Sequence, residues 1–467
     1  MKMKLDAPIK PELDPDFIPA VLWNRAYQER VEQSGAPVDV EMALVRPDKT
    51  GTRFKTRILP LSAENDALTF RYLERMLKLL LWQRGGSTVM IAGAASFAEK
   101  LSSFYSSVGA RRFDFEFFGE KTYLQPLEIL ACEFEELPAC DERAVALGRH
   151  LDGCRIGFDL GGSDRKCAAV IDGNVVFSEE IEWNPYFETN PDVHIEGIND
   201  SLKRAAAHLP RIDAIGGSSA GVYVNNEVRA ASLFRGVSSA DFESKVRRIF
   251  FDLKEAWGGI PFDVVNDGEV TALAGSMSIH ENAVLGIAMG TSLAAGYVTP
   301  EGGITPWLNE LAFAPVDYRD NAPVDEWSGD LGCGVQYFSQ QAVARLAPLA
   351  GIELPEEMPL AERLVEVQKR LADGDERAAK IYSTIGTYLG YTLAHYADFY
   401  EIRNILLLGR VMSGQGGDII IEKAREVLAS LFQSLEKQIS IVTPNEKDKR
   451  HGQAVAAASL PTLGKTK

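Results

Sequence analysis

Between residues 4 and 19, four prolines and alternating charges break every regular period, which predicts an extended arm. Residues 38–45 and 52–59 then alternate about the turn Arg46-Pro47-Asp48-Lys49-Thr50-Gly51, the pattern of a strand pair. Over 66–84 the stripe Leu68, Phe70, Tyr72, Leu73, Met76, Leu79 and Leu80 has helical spacing. Residues 89–92 read as a buried strand, 97–108 as helix and 112–129 as a mixture of aromatic strands and turns. A polar connection over 137–153 closes this block.

Strands and helices alternate after it, which implies an α/β architecture. Strand 155–160 runs into Asp159-Leu160-Gly161-Gly162-Ser163, and 166–171 and 175–181 pair about the Asp172-Gly173-Asn174 hairpin. Helix 194–209, strand 212–215, helix 240–257 and strand 261–265 lead to Asn266-Asp267-Gly268-Glu269 and a helix over 270–276. Strand 283–288 ends at Met289-Gly290-Thr291-Ser292. Helices follow over 335–347, 359–372 and 375–400, then the apolar strand 405–408, a glycine-rich turn from Gly409 to Gly417, and a helix over 419–431. The hairpin at 42–59 echoes the one at 155–181, so the first block also reads as a degenerate repeat or as an added domain.

At 467 residues, two or three domains are expected. A net charge of −17 without a basic stripe argues against a DNA or RNA partner and leaves room for a nucleotide held in a local pocket. Five cysteines (Cys132, Cys140, Cys154, Cys167 and Cys333) are scattered without a Cys-x-x-Cys pair, so they read as reduced thiols. No apolar run approaches the ~20 residues of a membrane span, and residues 1–10 lack an apolar signal core. The expected setting is cytoplasmic, with no membrane partner.

Three glycine-flanked turns follow apolar strands in a fixed order. Gly161 and Gly162 let backbone amides approach a phosphate, Ser163 offers a hydroxyl, Lys166 or Arg165 offers charge, and Asp159 can hold Mg²⁺ through water. An ordinary hairpin is the plain alternative. Asp267, at the end of a buried strand, is placed to act as a general base; a helix N-cap is its plain alternative. Gly290, Thr291 and Ser292 offer small residues and two hydroxyls, or simply a turn. Gly217-Ser218-Ser219-Ala220-Gly221 fits the nucleophile elbow of serine hydrolases, but Val222-Tyr223-Val224 reads as strand where that motif requires helix. Asp317, Asp325, Glu326, Trp327 and Asp330 read either as a sugar-facing stretch or as a solvated acidic loop. His194, His208 and His395 lack ligand spacing and read as solvent or helix-surface residues.

Together these turns resemble the sugar kinases of the ROK family (repressor, open reading frame, kinase), over about 154–460. The resemblance implies an actin-like ATPase fold of two ribonuclease-H-like lobes, with an added N-terminal α/β domain. It divides the chain at 1–150, 151–300 (first lobe) and 301–467 (second lobe). It implies ATP and Mg²⁺, with Asp159, Gly161, Gly162, Ser163 and Lys166 at the first phosphate loop and Asp267 as catalytic base. Gly290, Thr291 and Ser292 match the second phosphate loop, and Gly409 and Arg410 open the adenosine loop. Ser219, Ala220, Ser232, Asn266, Glu310 and Trp327 are the acceptor-side candidates, and the implied acceptor is a sugar or polyol. A homodimer is left open. The family's Gly-Glu-x-Gly-His motif becomes Asn309-Glu310-Leu311-Ala312-Phe313, and its cysteine cluster is reduced to Cys333, so no zinc site is expected. Family repressors carry a DNA-binding helix-turn-helix, which the acidic first block does not resemble. A non-catalytic sensor and a kinase for a non-sugar acceptor remain alternatives.

Overall fold

The computed structural model describes residues 3, 5–140, 147–443 and 446–463, so part of the polar connection at 137–153 lies outside the described residues. The chain forms two compact units that interleave along it. The first comprises Met1–Glu142, Ile287–Ala295 and Trp307–Ile441; the second comprises Arg143–Gly286, Gly296–Pro306 and Val442–Lys467.

The first unit opens with the arm, which is packed rather than solvated. Phe17 is buried against Tyr337, Tyr388 and Tyr391, and Asp14 accepts from the Tyr388 hydroxyl at 2.5 Å and pairs with Arg319. A helix unforeseen from the pattern, Ala20–Gln33, follows. β1 (Val38–Val45) and β2 (Gly51–Ile58) form the expected antiparallel pair, and the helix Asp66–Arg84 spans the full predicted stripe. β3 (Thr88–Ala92) pairs antiparallel with β1 and parallel with β4 (Glu128–Cys132), giving the order β2-β1-β3-β4.

The stretch 112–129, read as aromatic strands and turns, is mostly helical instead: Arg112–Glu116, then a wide turn Phe117–Tyr123. Its rings pack on Trp82, with Phe117 at 4.7 Å and Phe118 at 4.8 Å between centroids. Burial against that one indole overrides the β preference of aromatic residues.

In the second unit, β5 (Cys154–Leu160), β6 (Asp164–Ile171) and β7 (Asn174–Glu182) form an antiparallel meander. After the helix Pro191–Ala206, β8 (Ala214–Ser219) returns parallel to β5. β9 (Val222–Val224) and β10 (Glu227–Ala230) form a hairpin through Asn225 and Asn226, both with positive φ. A strand therefore follows Gly221, where the serine-hydrolase elbow needs a helix. Instead of one helix at 240–257 there are three pieces: Ser239–Asp241, a wide turn Phe242–Val246, and Ile249–Ala256. β11 (Phe262–Asn266) completes the order β11-β8-β5-β6-β7, parallel to β8. β5 lies parallel to its inner neighbour β8, whereas β1 lies antiparallel to β3, so the two hairpins that echo in sequence sit in differently paired sheets.

A further sheet, ordered β13-β12-β14-β15, comprises β12 (Val284–Met289), β13 (Leu293–Val298), β14 (Asn404–Leu408) and β15 (Ser440–Val442). Among the described residues no helix is long and apolar enough to cross a membrane.

The helix Glu446–Ala458 lies against β5 and β8 at two glycines. A Cβ at Gly157 would run into the Ala454 carbonyl, and one at Gly216 into the Ala457 carbonyl. Gly216→Ala is therefore expected to lower unfolding free energy by about 1–3 kcal/mol. Urea denaturation checks it; an unchanged midpoint would show that the helix can lift away freely.

Candidate functional site

In the second unit the ends of three parallel strands are level. Leu160 lies opposite Ser219, and Ser219 opposite Asn266, so Gly161, Ala220 and Asp267 follow at one carboxyl edge. Open α/β sheets take ligands at that edge. Asp159 is buried one residue earlier, beside Ser218 and Lys166. Burial pushes its carboxyl up, partly offset by Lys166, whose Nζ lies 3.6 Å from Asp159 Oδ2 and 3.2 Å from Asp164 Oδ1. Arg165 points elsewhere, to Asp200 at 2.7 Å and the Ser201 hydroxyl at 2.6 Å. Of the two cations weighed from the sequence, Lys166 is the one beside Asp159.

The turn itself is braced. Gly161 N–H donates to the Asp164 carbonyl at 2.9 Å, and the Trp183 indole donates to the Gly161 carbonyl at 2.8 Å. A Cβ on Gly162 would strike the Tyr186 ring, so glycine is needed there for close approach. Ser163 is exposed and its hydroxyl donates to Asp164 Oδ2 at 2.9 Å.

At β11 the helix-cap alternative for Asp267 is resolved. Asn266 is the cap: its Oδ1 accepts from Gly268 N–H at 2.7 Å while its Nδ2 donates to the Gly221 carbonyl at 2.7 Å. Asp267 is then the first residue of the helix Asp267–Ile279. Burial, and next the charge of Asp159, push its carboxyl up to about 6, against the pull of the Gly268 amide.

Ser219 is buried and takes a hydrogen bond from Tyr223, whose hydroxyl lies 2.6 Å from Ser219 Oγ and 3.1 Å from the Ala220 carbonyl. Tyr223 was missed as a site residue. The sequence carries no signal for it, since the direction of one ring in a three-residue strand is set by packing. Ser232 opens the turn Ser232–Phe234, and the preceding Ala231 packs where a Gly221 Cβ would be.

In the first unit, Gly290 N–H donates to the Ser292 carbonyl at 2.9 Å, and the Gly290 carbonyl accepts from Gln340 N–H at 2.9 Å, where the helix Gln340–Leu349 begins. Thr291 and Ser292 are exposed. Gly409 has φ +98°, and a Cβ there would strike the Met289 backbone, so the two loops abut. The Arg410 carbonyl accepts from Gln368 at 2.9 Å. The glycine-rich turn is shorter than expected: the helix Gln415–Leu431 takes in Gly416 and Gly417, leaving Gly414 in a left-handed conformation before it.

Glu310 N–H donates to the Trp82 carbonyl at 3.0 Å. Trp327 is 73% exposed, on the turn closed by the Val324–Leu331 bridge. Asp317, Asp325 and Asp330 are each at most 3% exposed, so the solvated-loop reading fails for them. His194 and His395 are buried too, contrary to the surface reading; His208 is exposed and stacks on Phe177 at 4.0 Å.

No family model and no curated protein matches this sequence. Solved structures do match it in fold. A ROK hexokinase from Thermus thermophilus superposes with a TM-score of 0.52 at 19% identity, covering 66% of this chain and 97% of the hexokinase. A ROK glucokinase from Streptomyces griseus, in complex with glucose and AMPPNP, gives 0.50 at 18% identity, covering 67% of this chain and 100% of the glucokinase. A ROK transcriptional regulator, homologous to the E. coli MLC protein, gives 0.51 at 19% identity, covering 66% and 79%. This chain therefore has the mixed α/β, actin-like fold that these ROK sugar kinases and this regulator share.

Proposed function

We propose that the protein is an ATP-dependent kinase that transfers the γ-phosphate to a hydroxyl of a sugar or related polyol. The observation that supports this best is the Asp267 carboxyl, raised to about 6 at the carboxyl edge of the sheet. Such a group is ionised at neutral pH, yet more basic than an ordinary aspartate toward a hydroxyl proton. In this reading Asp267 takes the proton as the acceptor oxygen attacks the γ-phosphorus, and ADP leaves with the bond electrons. Asn266, by capping the helix, holds Asp267 at its first position. Gly161, Gly162, Ser163 and Lys166 are assigned to the donor phosphates, as are Gly290, Thr291 and Ser292; Gly409 and Arg410 are assigned to the nucleoside. Ser219, Ala220, Ser232, Asn266, Glu310 and Trp327 are assigned to the acceptor.

Asp159 fits Mg²⁺: it is a hard carboxylate donor at a strand end, shared only loosely with Lys166 at 3.6 Å. When bound, the ion would neutralise charge on the phosphates. A sensor that binds sugar without transfer is the second reading. It is favoured by Phe313, which stands where the resemblance expects a histidine and packs on Trp82.

Screening sugars, polyols and acids for acceptor-dependent ADP release separates the two readings. With a confirmed acceptor, Asp267→Asn is expected to lower kcat by about 10²–10⁴-fold while ATP affinity stays unchanged. Transfer surviving that change would remove Asp267 from the mechanism. The parent should also lose kcat/KM about tenfold per pH unit below about 6, as Asp267 takes up a proton. Because its folded-state pKa is raised, ionising Asp267 works against folding as pH rises from 3.8 toward 6. The Asn variant should therefore melt no lower than the parent at pH 7, which calorimetry checks.

A further inference from the structure

We propose that the helix Asp66–Arg84 is the positioning element of the acceptor-side segment 309–333, holding it by ion pairs and ring contacts where the family it resembles has a zinc-held motif. This rests on the reading that Glu310 and the loop beyond it serve the acceptor.

The segment has little structure of its own: one three-residue turn, Leu311–Phe313, and isolated bridges at Pro315–Cys333 and Val324–Leu331. The helix holds it in several ways. Near its C-terminal end, the carbonyls of Trp82 and Gln83 accept from Glu310 and Asn309 N–H, both at 3.0 Å. These carbonyls lie in the last turn, where a helix leaves acceptors unsatisfied. Phe313 packs on the Trp82 ring at 4.3 Å between centroids. One turn back, Lys78 Nζ lies 3.1 Å from Asp330, and Arg75 lies 3.2 Å from it. Further along, Arg71 pairs with Asp320 and donates to the Tyr318 carbonyl.

The charges close on themselves. Arg75, Lys78 and Arg111 face Glu74, Asp114 and Asp330, with Arg111 paired to both Glu74 and Asp330. Burial pushes the Asp330 carboxyl up, but Arg75 and Lys78 outweigh it and hold the group below the usual range. Removing one member of such a network leaves an uncompensated buried charge, so the loop position is tied to the helix position.

A zinc ion does not fit here. Phe313 supplies a ring where a ligand is expected, and burial pushes the Cys333 thiol up, away from the thiolate a metal requires.

The test uses the full chain with Asp330→Asn. Arg71→Ala serves as a second variant, because its partially exposed pair with Asp320 contributes little to folding. Hydrogen–deuterium exchange should show protection lost over 307–334 while peptides from β5–β7 stay unchanged. With a confirmed acceptor, its KM should rise about tenfold for Asp330→Asn, and less for Arg71→Ala, while the KM for ATP stays constant. Unchanged exchange over 307–334 in both variants would overturn the proposal. So would equal rises in both KM values, or one zinc per chain whose chelation unprotects the segment. The exchange measurement needs no acceptor. A failed acceptor screen with the expected exchange would sink the kinase reading and leave the clamp standing.

Discussion

The helix Glu446–Ala458 rests on the bare backbone of β5 and β8, because Gly157 and Gly216 hold nothing between strand and helix. On the other face, Phe158, Phe250 and Phe262 pack into the main core of the second unit. The strands are thus pressed from both sides, and their register keeps the three carboxyl ends level. The fully buried Arg155 secures the helix's far end, donating to the Ala458 and Pro461 carbonyls at 3.3 and 2.8 Å. An arginine at a helix C-terminus satisfies orphan carbonyls and complements the dipole. What the level ends provide is a place where burial and the charge of Asp159 raise the proton affinity of Asp267.

The first unit relies on a different constraint. Its buried charges around Lys78 and Asp330 are costly to desolvate, and an apolar substitute of similar volume is often no less stable. What charges add is position: a network of three carboxylates and three cations tolerates few alternative arrangements. The arm does something similar through Asp14, which ties residues before the first helix to Arg319 and Tyr388. Both devices converge on residues 317–330, a stretch with almost no regular structure.

Much of the fold was legible because pattern and packing agreed. The apolar stripe over 66–84 has helical spacing and became a helix with those bounds; the strands read at 38–45, 155–160 and 175–181 formed within a residue of those bounds. Legibility failed where contacts distant in sequence decide. The helix Ala20–Gln33 is polar on balance and earns its place through Trp23, Tyr27 and Tyr72 stacking together. The rings at 113–118 carry a strand-like composition, yet wrap one tryptophan. The solvated alternative for Asp330 stayed open in the sequence because its partners, Arg75 and Lys78, lie on a helix about 250 residues earlier.

The chain by itself determined the order of many of the strands and turns, the glycines where backbone must approach closely, and the placing of Asp159 and Asp267 at strand ends, since these follow from local periodicity and from what Gly alone permits. Tertiary structure decided which of Arg165 and Lys166 accompanies Asp159, that Asn266 rather than Asp267 caps the helix, and that Phe313 belongs to a ring cluster with Trp82. Each of those depends on the direction a side chain takes and on the neighbour it meets, and that neighbour is set by packing across the fold.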